Sequence, residues 1–357
     1  ALNLNIHFHI LFLDGCVRFR WLSTPAPPKQ TQLPTYLPIG SDNFWNGKGG
    51  LRGSPRTVTL SGMGRTPLNK LLGSSISYRF YTRDMQERDG QRLTIERELC
   101  NALKSLQLTL YYQPQLCIGT GKSVGLEALV RWNHPSQGLI LPGAFLPLAA
   151  DSHLMEKLGD WVMNEACRQV GEWIAAGFMP PPIALNVTPE QLNQKGFRDR
   201  FLSALAKYGV PPAQLRVEIT ESYLGNGGEK TTEIFRGLRS RGIKVALYGF
   251  GTGFLSLDKL PGLPIDILKI DRAFVAGLPT DGASALIVEL IIKLSRMLQV
   301  EVIAEGVEHG EQLQHLWGAG CHQVQGFYYQ AALHPVELIT WLEGKERAAA
   351  YAAQSLG

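Results

Sequence analysis

Leu215-Arg216-Val217 runs into Glu218, and Ile219-Thr220 carries the chain on to Glu221. An apolar strand-like run that stops on a polar residue recurs along the sequence. Val124-Gly125-Leu126 leads to Glu127, and Ile183-Ala184-Leu185 to Asn186. Ile267-Leu268 leads to Lys269 and Asp271, Val302-Ile303-Ala304 to Glu305 and Glu308, and Gln323-Val324 to Gln325. The strand candidates are 108–116, 123–132, 182–187, 215–220, 243–248, 266–270, 301–304 and 322–328. Helical stripes fall between them at 154–176, 197–208, 229–241, 282–298 and 309–318. A further stripe, Leu93, Ile95, Leu99, Leu103 and Leu106, predicts a helix over 92–108 ahead of the first strand. Strands alternating with helices over about 250 residues imply a barrel of parallel strands wrapped in helices, or a doubly wound sheet.

A barrel gathers its chemistry where the strands finish. Carboxylates and an amide on neighbouring strand tips make a hard-oxygen pocket that suits Mg²⁺ or Mn²⁺ rather than zinc. A lysine and further carboxylates beside it supply what hydrolysis of a phosphoester by metal-activated water requires. The competing reading of each glutamate is an ordinary strand-end or helix-capping residue.

Length and composition set the outer limits. The 357 residues are 45% hydrophobic and 18% charged, as in a chain with a folded core. No apolar run reaches the roughly 18 residues of a membrane span. Cys16, Cys100, Cys117, Cys167 and Cys321 are odd in number and scattered. They argue against a disulfide framework or a thiolate zinc site, and for a reducing, cytoplasmic setting. Residues 1–90 carry 11 Lys/Arg against 5 Asp/Glu, whereas 91–357 carry 24 against 26. The basic excess therefore sits in the front end and is no nucleic-acid surface of the main domain. From about 23 to 76 proline and glycine dominate without any period, as in a largely unstructured linker.

Read together, the segments from 107 to 345 resemble the EAL family, phosphodiesterase domains that open cyclic di-GMP. The motifs are Tyr112-Gln113-Pro114, Glu127-Ala128-Leu129 with Arg131-Trp132-Asn133-His134-Pro135, and Leu185-Asn186-Val187. They continue with Glu218-Ile219-Thr220-Glu221-Ser222, Leu268-Lys269-Ile270-Asp271, Ala304-Glu305-Gly306-Val307-Glu308 and Gln325-Gly326-Phe327. The resemblance implies a TIM-like (β/α)8 barrel with one antiparallel strand. It implies Glu127, Asn186 and Glu218 as metal ligands, and Lys269 on the attacking water or a phosphate oxygen. It further implies Glu305 as general base and Glu221 as brace of the loop after the strand at 243–248. Gln113, Leu129, Arg131, Asp160 and Gln325 would contact the ligand.

One departure bears on the chemistry. The family places two adjacent aspartates before Phe-Gly-Thr-Gly, and here Tyr248-Gly249 precede Phe250-Gly251-Thr252-Gly253. A neutral phenol and a bare backbone remove two negative charges that would face two divalent ions. The expectation is weak or single-site binding of Mg²⁺ or Mn²⁺ and little or no hydrolysis. The residues that the resemblance implies as ligand contacts are mostly retained, Gln113, Glu127, Arg131, Asp160 and Gln325 among them.

The front end carries two further resemblances. Tyr78-Arg79-Phe80-Tyr81 through Glu96-Arg97-Glu98-Leu99 (residues 77–106) is similar to the segment joining a GGDEF domain to an EAL domain. Residues 4–22, with His7-Phe8-His9 and Arg18-Phe19-Arg20-Trp21, resemble a fragment of rolling-circle transposases. Some twenty residues do not make a nuclease, and they are expected to be a remnant. Removing residues 1–76 is expected to leave solubility and ligand binding intact. The domain plan is thus 1–22, 23–76, 77–106, 107–345 and a tail at 346–357.

Three functional classes follow: a cyclic di-GMP-binding or scaffolding module, a residual phosphodiesterase, and a non-functional product of a disrupted gene. The partners expected are cyclic di-GMP, a second copy of the chain, and a GGDEF or effector protein, with no nucleic acid.

Overall fold

Leu215, Val217 and Ile219 face one side of their strand, and Arg216 and Glu218 the other. The computed structural model shows what each side meets. It describes residues 94–150, 154–221, 228–251 and 262–355, and four short strands before them.

The chain divides into two units, residues 1–93 and 94–357. In the first, β1 (Phe8–Leu13) pairs antiparallel with β2 (Cys16–Trp21), and β3 (Val58–Thr59) with β4 (Ser77–Tyr78). The expected linker, apart from Val58 and Thr59, and the His7 end of the transposase-like segment lie outside the described residues.

In the second unit α1 (94–102) leads through a turn into β5 (Leu108–Cys117). The helix expected over 92–108 is shorter, because Gln107 already accepts the Asn133 N–H at 2.7 Å and so begins the strand pairing. Then come β6 (Ser123–His134), β7 (Gly138–Ile140), α2 (Pro142–Ala150), α3 (Leu154–Ala175) and β8 (Ile183–Asn186). Next are α4 (Pro189–Asn193), α5 (Phe197–Tyr208), β9 (Leu215–Thr220), α6 (Gly228–Arg239) and β10 (Lys244–Phe250). The chain closes with β11 (Ile267–Ile270), α7 (Arg272–Ala276), α8 (Gly282–Leu298), β12 (Glu301–Glu305), α9 (Gly310–Ala319), β13 (Gln323–Gln325) and α10 (Pro335–Ser355). The last helix runs through the point where the sequence reading starts a C-terminal tail.

Among the described residues, eight strands close into a barrel in the order β5-β13-β12-β11-β10-β9-β8-β6, and β6 pairs back onto β5. That closure excludes the doubly wound sheet. β5 is antiparallel to both neighbours and the other barrel contacts are parallel. β6 meets β8 only through Leu126–Ala128, then continues with β5 and β7 as a ribbon.

Period-two alternation sorts the side chains into two environments. Leu215, Val217, Ile219, Val245, Leu247, Leu268 and Val324 pack outward on helix residues such as Phe201, Phe235, Val288 and Ile292, all fully buried. Burying each such side chain contributes about 1.5–3 kcal/mol. Ala246, Ile267 and Ile303 form a separate apolar layer on the inner face. Among the described residues no helix is long and apolar enough to cross a membrane, and Cys100, Cys117, Cys167 and Cys321 are free.

Candidate functional site

The inner face at the strand ends is polar and buried. Lys269 on β11 is its centre and is fully enclosed. Its Nζ stands 2.6 Å from a Glu218 oxygen on β9, 2.5 Å from Glu305 on β12 and 3.2 Å from Glu127 on β6. An ammonium has three N–H donors, and three carboxylates surround this one.

Amides hold Glu127 in place. Asn186 Nδ2, on β8, donates to Glu127 Oε1 at 2.8 Å. Gln325 Nε2, on β13, donates to Glu127 Oε2 at 2.7 Å and to Gln113 Oε1 on β5 at 3.1 Å. Gln325 Oε1 in turn accepts from Gln115 Nε2 at 3.1 Å. Below this layer Arg216 reaches Gln115 at 3.4 Å and the Val124 carbonyl at 2.9 Å.

The electrostatics follow from burial. Burial raises the Glu218 carboxyl to about 8, aided by Glu127 and Glu305 and opposed by Lys269. Glu305 is also pushed up by burial, against the pull of Lys269. Burial pushes Glu127 upward too, but Lys269, Gln325 and Asn186 together hold it below the usual carboxylate value. Burial disfavours charge on Lys269, and the three carboxylates overcome it and hold the ammonium well above its ordinary value.

The remaining residues named from sequence fall around this core. Leu129 and Arg131 follow Glu127 along the β6 ribbon. The Arg131 guanidinium lies 5.6 Å over the Tyr111 ring and donates to the Val130 carbonyl at 3.0 Å. Glu221 accepts the Gly251 N–H at 2.9 Å, tying the end of β9 to the loop after β10. Asp160, on α3, is paired with Arg200 at 3.5 Å and makes no hydrogen bond to the network.

Sequence reasoning missed Gln115, Arg216 and Tyr111. Each stands two positions from a named site residue on the same strand, so alternation alone marks them as inward-facing.

Tyr248 also lies on the inner side. It is two residues beyond Ala246 of the inner apolar layer, and Ala246 pairs with Glu218 in register. Burial, then Glu218 and Glu127, raise its phenol to about 12, so it stays protonated. Between Leu247 and Phe250 the register with β11 shifts. Gly249 sits in this irregularity at φ 69°, in the left-handed region.

The loop beyond Glu305 is tied to the tip of β13. Val307 N–H donates to the Gln325 carbonyl at 3.1 Å, and Tyr328 N–H to the Val307 carbonyl at 2.9 Å. A Cβ at Gly326 would stand 2.0 Å from the Val307 oxygen. Gly326→Ala is therefore expected to cost about 1–3 kcal/mol, since backbone must move to admit the methyl. Urea unfolding of the variant measures it, and a loss below 0.5 kcal/mol, roughly the surface-substitution range, would contradict this packing.

A profile of the EAL domain family matches residues 96–332. The chain belongs to the EAL domain family. It is 38% identical over 250 residues to a bifunctional diguanylate cyclase/cyclic di-GMP phosphodiesterase, MucR of Pseudomonas aeruginosa, covering 70% of this chain and 36% of MucR. It is 37% identical over 254 residues to the cyclic di-GMP phosphodiesterase NbdA of the same organism, covering 71% of this chain and 32% of NbdA. The chain thus spans about a third of these curated relatives. The solved MucR phosphodiesterase in complex with c-di-GMP superposes with a TM-score of 0.66 at 38% identity, covering 69% of this chain and 99% of that one.

EAL chemistry implies divalent ions, and the donor set bears on whether they fit. Glu127, Glu218 and Glu305 offer oxygens within 4.8 Å of one another, a spacing open to one cation. The Lys269 ammonium already lies against those carboxylates. Asn186 turns its NH₂ toward Glu127, Tyr248 offers a protonated phenol, and Gly249 no side chain. These residues do not fit a pair of ions.

Proposed function

We propose that this EAL domain binds cyclic di-GMP as a receptor or scaffold and hydrolyses it little or not at all. The observation that carries the reading is Tyr248-Gly249 at the mouth of an otherwise complete inward network. Glu127, Asn186, Glu218, Lys269, Glu305, Gln113 and Gln325 supply the acids, amides and cation of a phosphodiester-binding site. Arg131 and Leu129 extend it along the ribbon. The similarity to MucR, solved with c-di-GMP, supports the ligand. A single Mg²⁺ or Mn²⁺ would bind weakly, because it must displace an ammonium from oxygens already in use. A second copy, or a GGDEF or effector protein, is the further partner in this reading. The free cysteines favour the cytoplasm.

The second reading is an active phosphodiesterase opening cyclic di-GMP to linear pGpG. It draws on the carboxylate trio and needs substitutes for the missing aspartates. Glu221 and Asp271 are two neighbouring acids among the described residues. Glu221 is engaged with the Gly251 N–H, and Asp271 caps α7 through the Ala273 N–H at 2.8 Å. Their engagement favours the receptor.

Calorimetric titration of the full chain with cyclic di-GMP in Mg²⁺ tests the reading. Saturable heat with the ligand recovered intact is the expected result. A folded chain that gives no heat would remove it and leave the third class, a chain without ligand function.

A further inference from the structure

Tyr248 stands at the same mouth as the carboxylate trio, and its hydroxyl has no hydrogen-bond partner among the described residues. Much of the donor capacity around it is already engaged. Lys269 faces three carboxylates. The Gln325 amide N–H groups serve Glu127 and Gln113, and Asn186 Nδ2 serves Glu127. A phosphodiester is an anion. Brought against Glu127, Glu218 and Glu305 it meets repulsion unless a donor or cation stands between. The family departure thus leaves a donor where it removes two acids.

We propose that Tyr248 is a ligand-recognition residue, its O–H donating to a non-bridging oxygen of the cyclic dinucleotide's phosphodiester, so that binding needs no divalent ion. The inference rests on the receptor reading and adds to it a named contact and metal independence. Lys269 serves as the built-in countercharge of the carboxylates, and Tyr248 meets the ligand. A hydrogen bond from a phenol to a charged acceptor is directional and depends on the hydroxyl alone. Phenylalanine keeps the ring and removes the contact.

The test is calorimetric titration of the full chain with cyclic di-GMP in EDTA and again in Mn²⁺, for wild type and Tyr248→Phe, with melting curves confirming both are folded. Wild type is expected to bind in EDTA, and the variant about tenfold more weakly. Equal affinity of the two proteins would overturn the proposal. So would wild-type binding that appears only with Mn²⁺, a result that leaves the receptor reading standing. Absence of binding in both media overturns the receptor reading itself, and this contact with it. Should the variant fail to fold, the EDTA and Mn²⁺ titrations of wild type still decide the metal-independence claim.

Discussion

Lys269→Met lowers stability by about 3–5 kcal/mol at pH 8 and by far less at pH 5. Methionine keeps an unbranched apolar stem in a fully buried position but removes the only ammonium facing Glu127, Glu218 and Glu305 among the described residues. Removing one partner of a buried ion cluster strands the others without compensation. The pH dependence follows from the direction of the shifts. Glu218, raised from 4.5 to about 8, binds a proton in the folded chain more tightly than in the unfolded one. Glu305 is raised as well. Such groups contribute stability that is fully present below the ordinary carboxylate value and is lost as pH rises through the folded value. Without the ammonium these shifts grow, so the cost of the substitution widens from pH 5 to pH 8. Urea unfolding at the two pH values measures the difference. An equal loss at both would show that Lys269 matters through packing rather than charge.

The second large effect is a gain. Tyr248→Asp with Gly249→Asp is expected to raise formation of linear dinucleotide in Mn²⁺ by about 100-fold or more over wild type, since loss of ligand-supporting groups alone costs about 10–100-fold. The backbone is prepared for it. Tyr248 already lies on the inner face beside the Glu218 layer. Gly249 has φ 69°, a conformation that aspartate visits more readily than most residues. Two added carboxylates also give divalent ions a charge that Lys269 alone does not offset, so the double variant should gain thermal stability from Mn²⁺ where wild type gains little. Product chromatography and melting curves read the two effects. Tight Mn²⁺ binding by the variant without turnover would show that something besides the missing acids silences the site.

Much of this was legible in the sequence, because period-two alternation and strand-end polarity are properties of the chain itself. Glu127, Asn186, Glu218, Lys269, Glu305 and Gln325 each end or interrupt an apolar run, and the barrel brings them together. Shorter elements were not legible. β7 is three residues long, too short to show a period. α2 begins Pro142-Gly143 and contains Pro147, residues that read as breakers. Pro142 costs nothing there, since the first-turn N–H of a helix is unpaired in any case. α4, five residues long, shows no helical stripe, although Thr188 and Gln191 form a capping box at its start. The start of β5 won against the helical stripe at Leu103 and Leu106, and Leu106 is left exposed. Within the site, alternation fixes which residues face inward but not which donors are spent. That Lys269 is enclosed by three carboxylates, while Tyr248 has no hydrogen-bond partner among the described residues, depends on distances between strands far apart in sequence.

The central claim is that this EAL domain holds cyclic di-GMP without opening it. Wild-type chain, saturated with the dinucleotide in Mn²⁺, can be followed over many hours by anion-exchange chromatography. The prediction is ligand recovered intact, with less than one equivalent of linear pGpG per chain. Repeated turnover, with pGpG accumulating well beyond the protein concentration and abolished by EDTA, would contradict it.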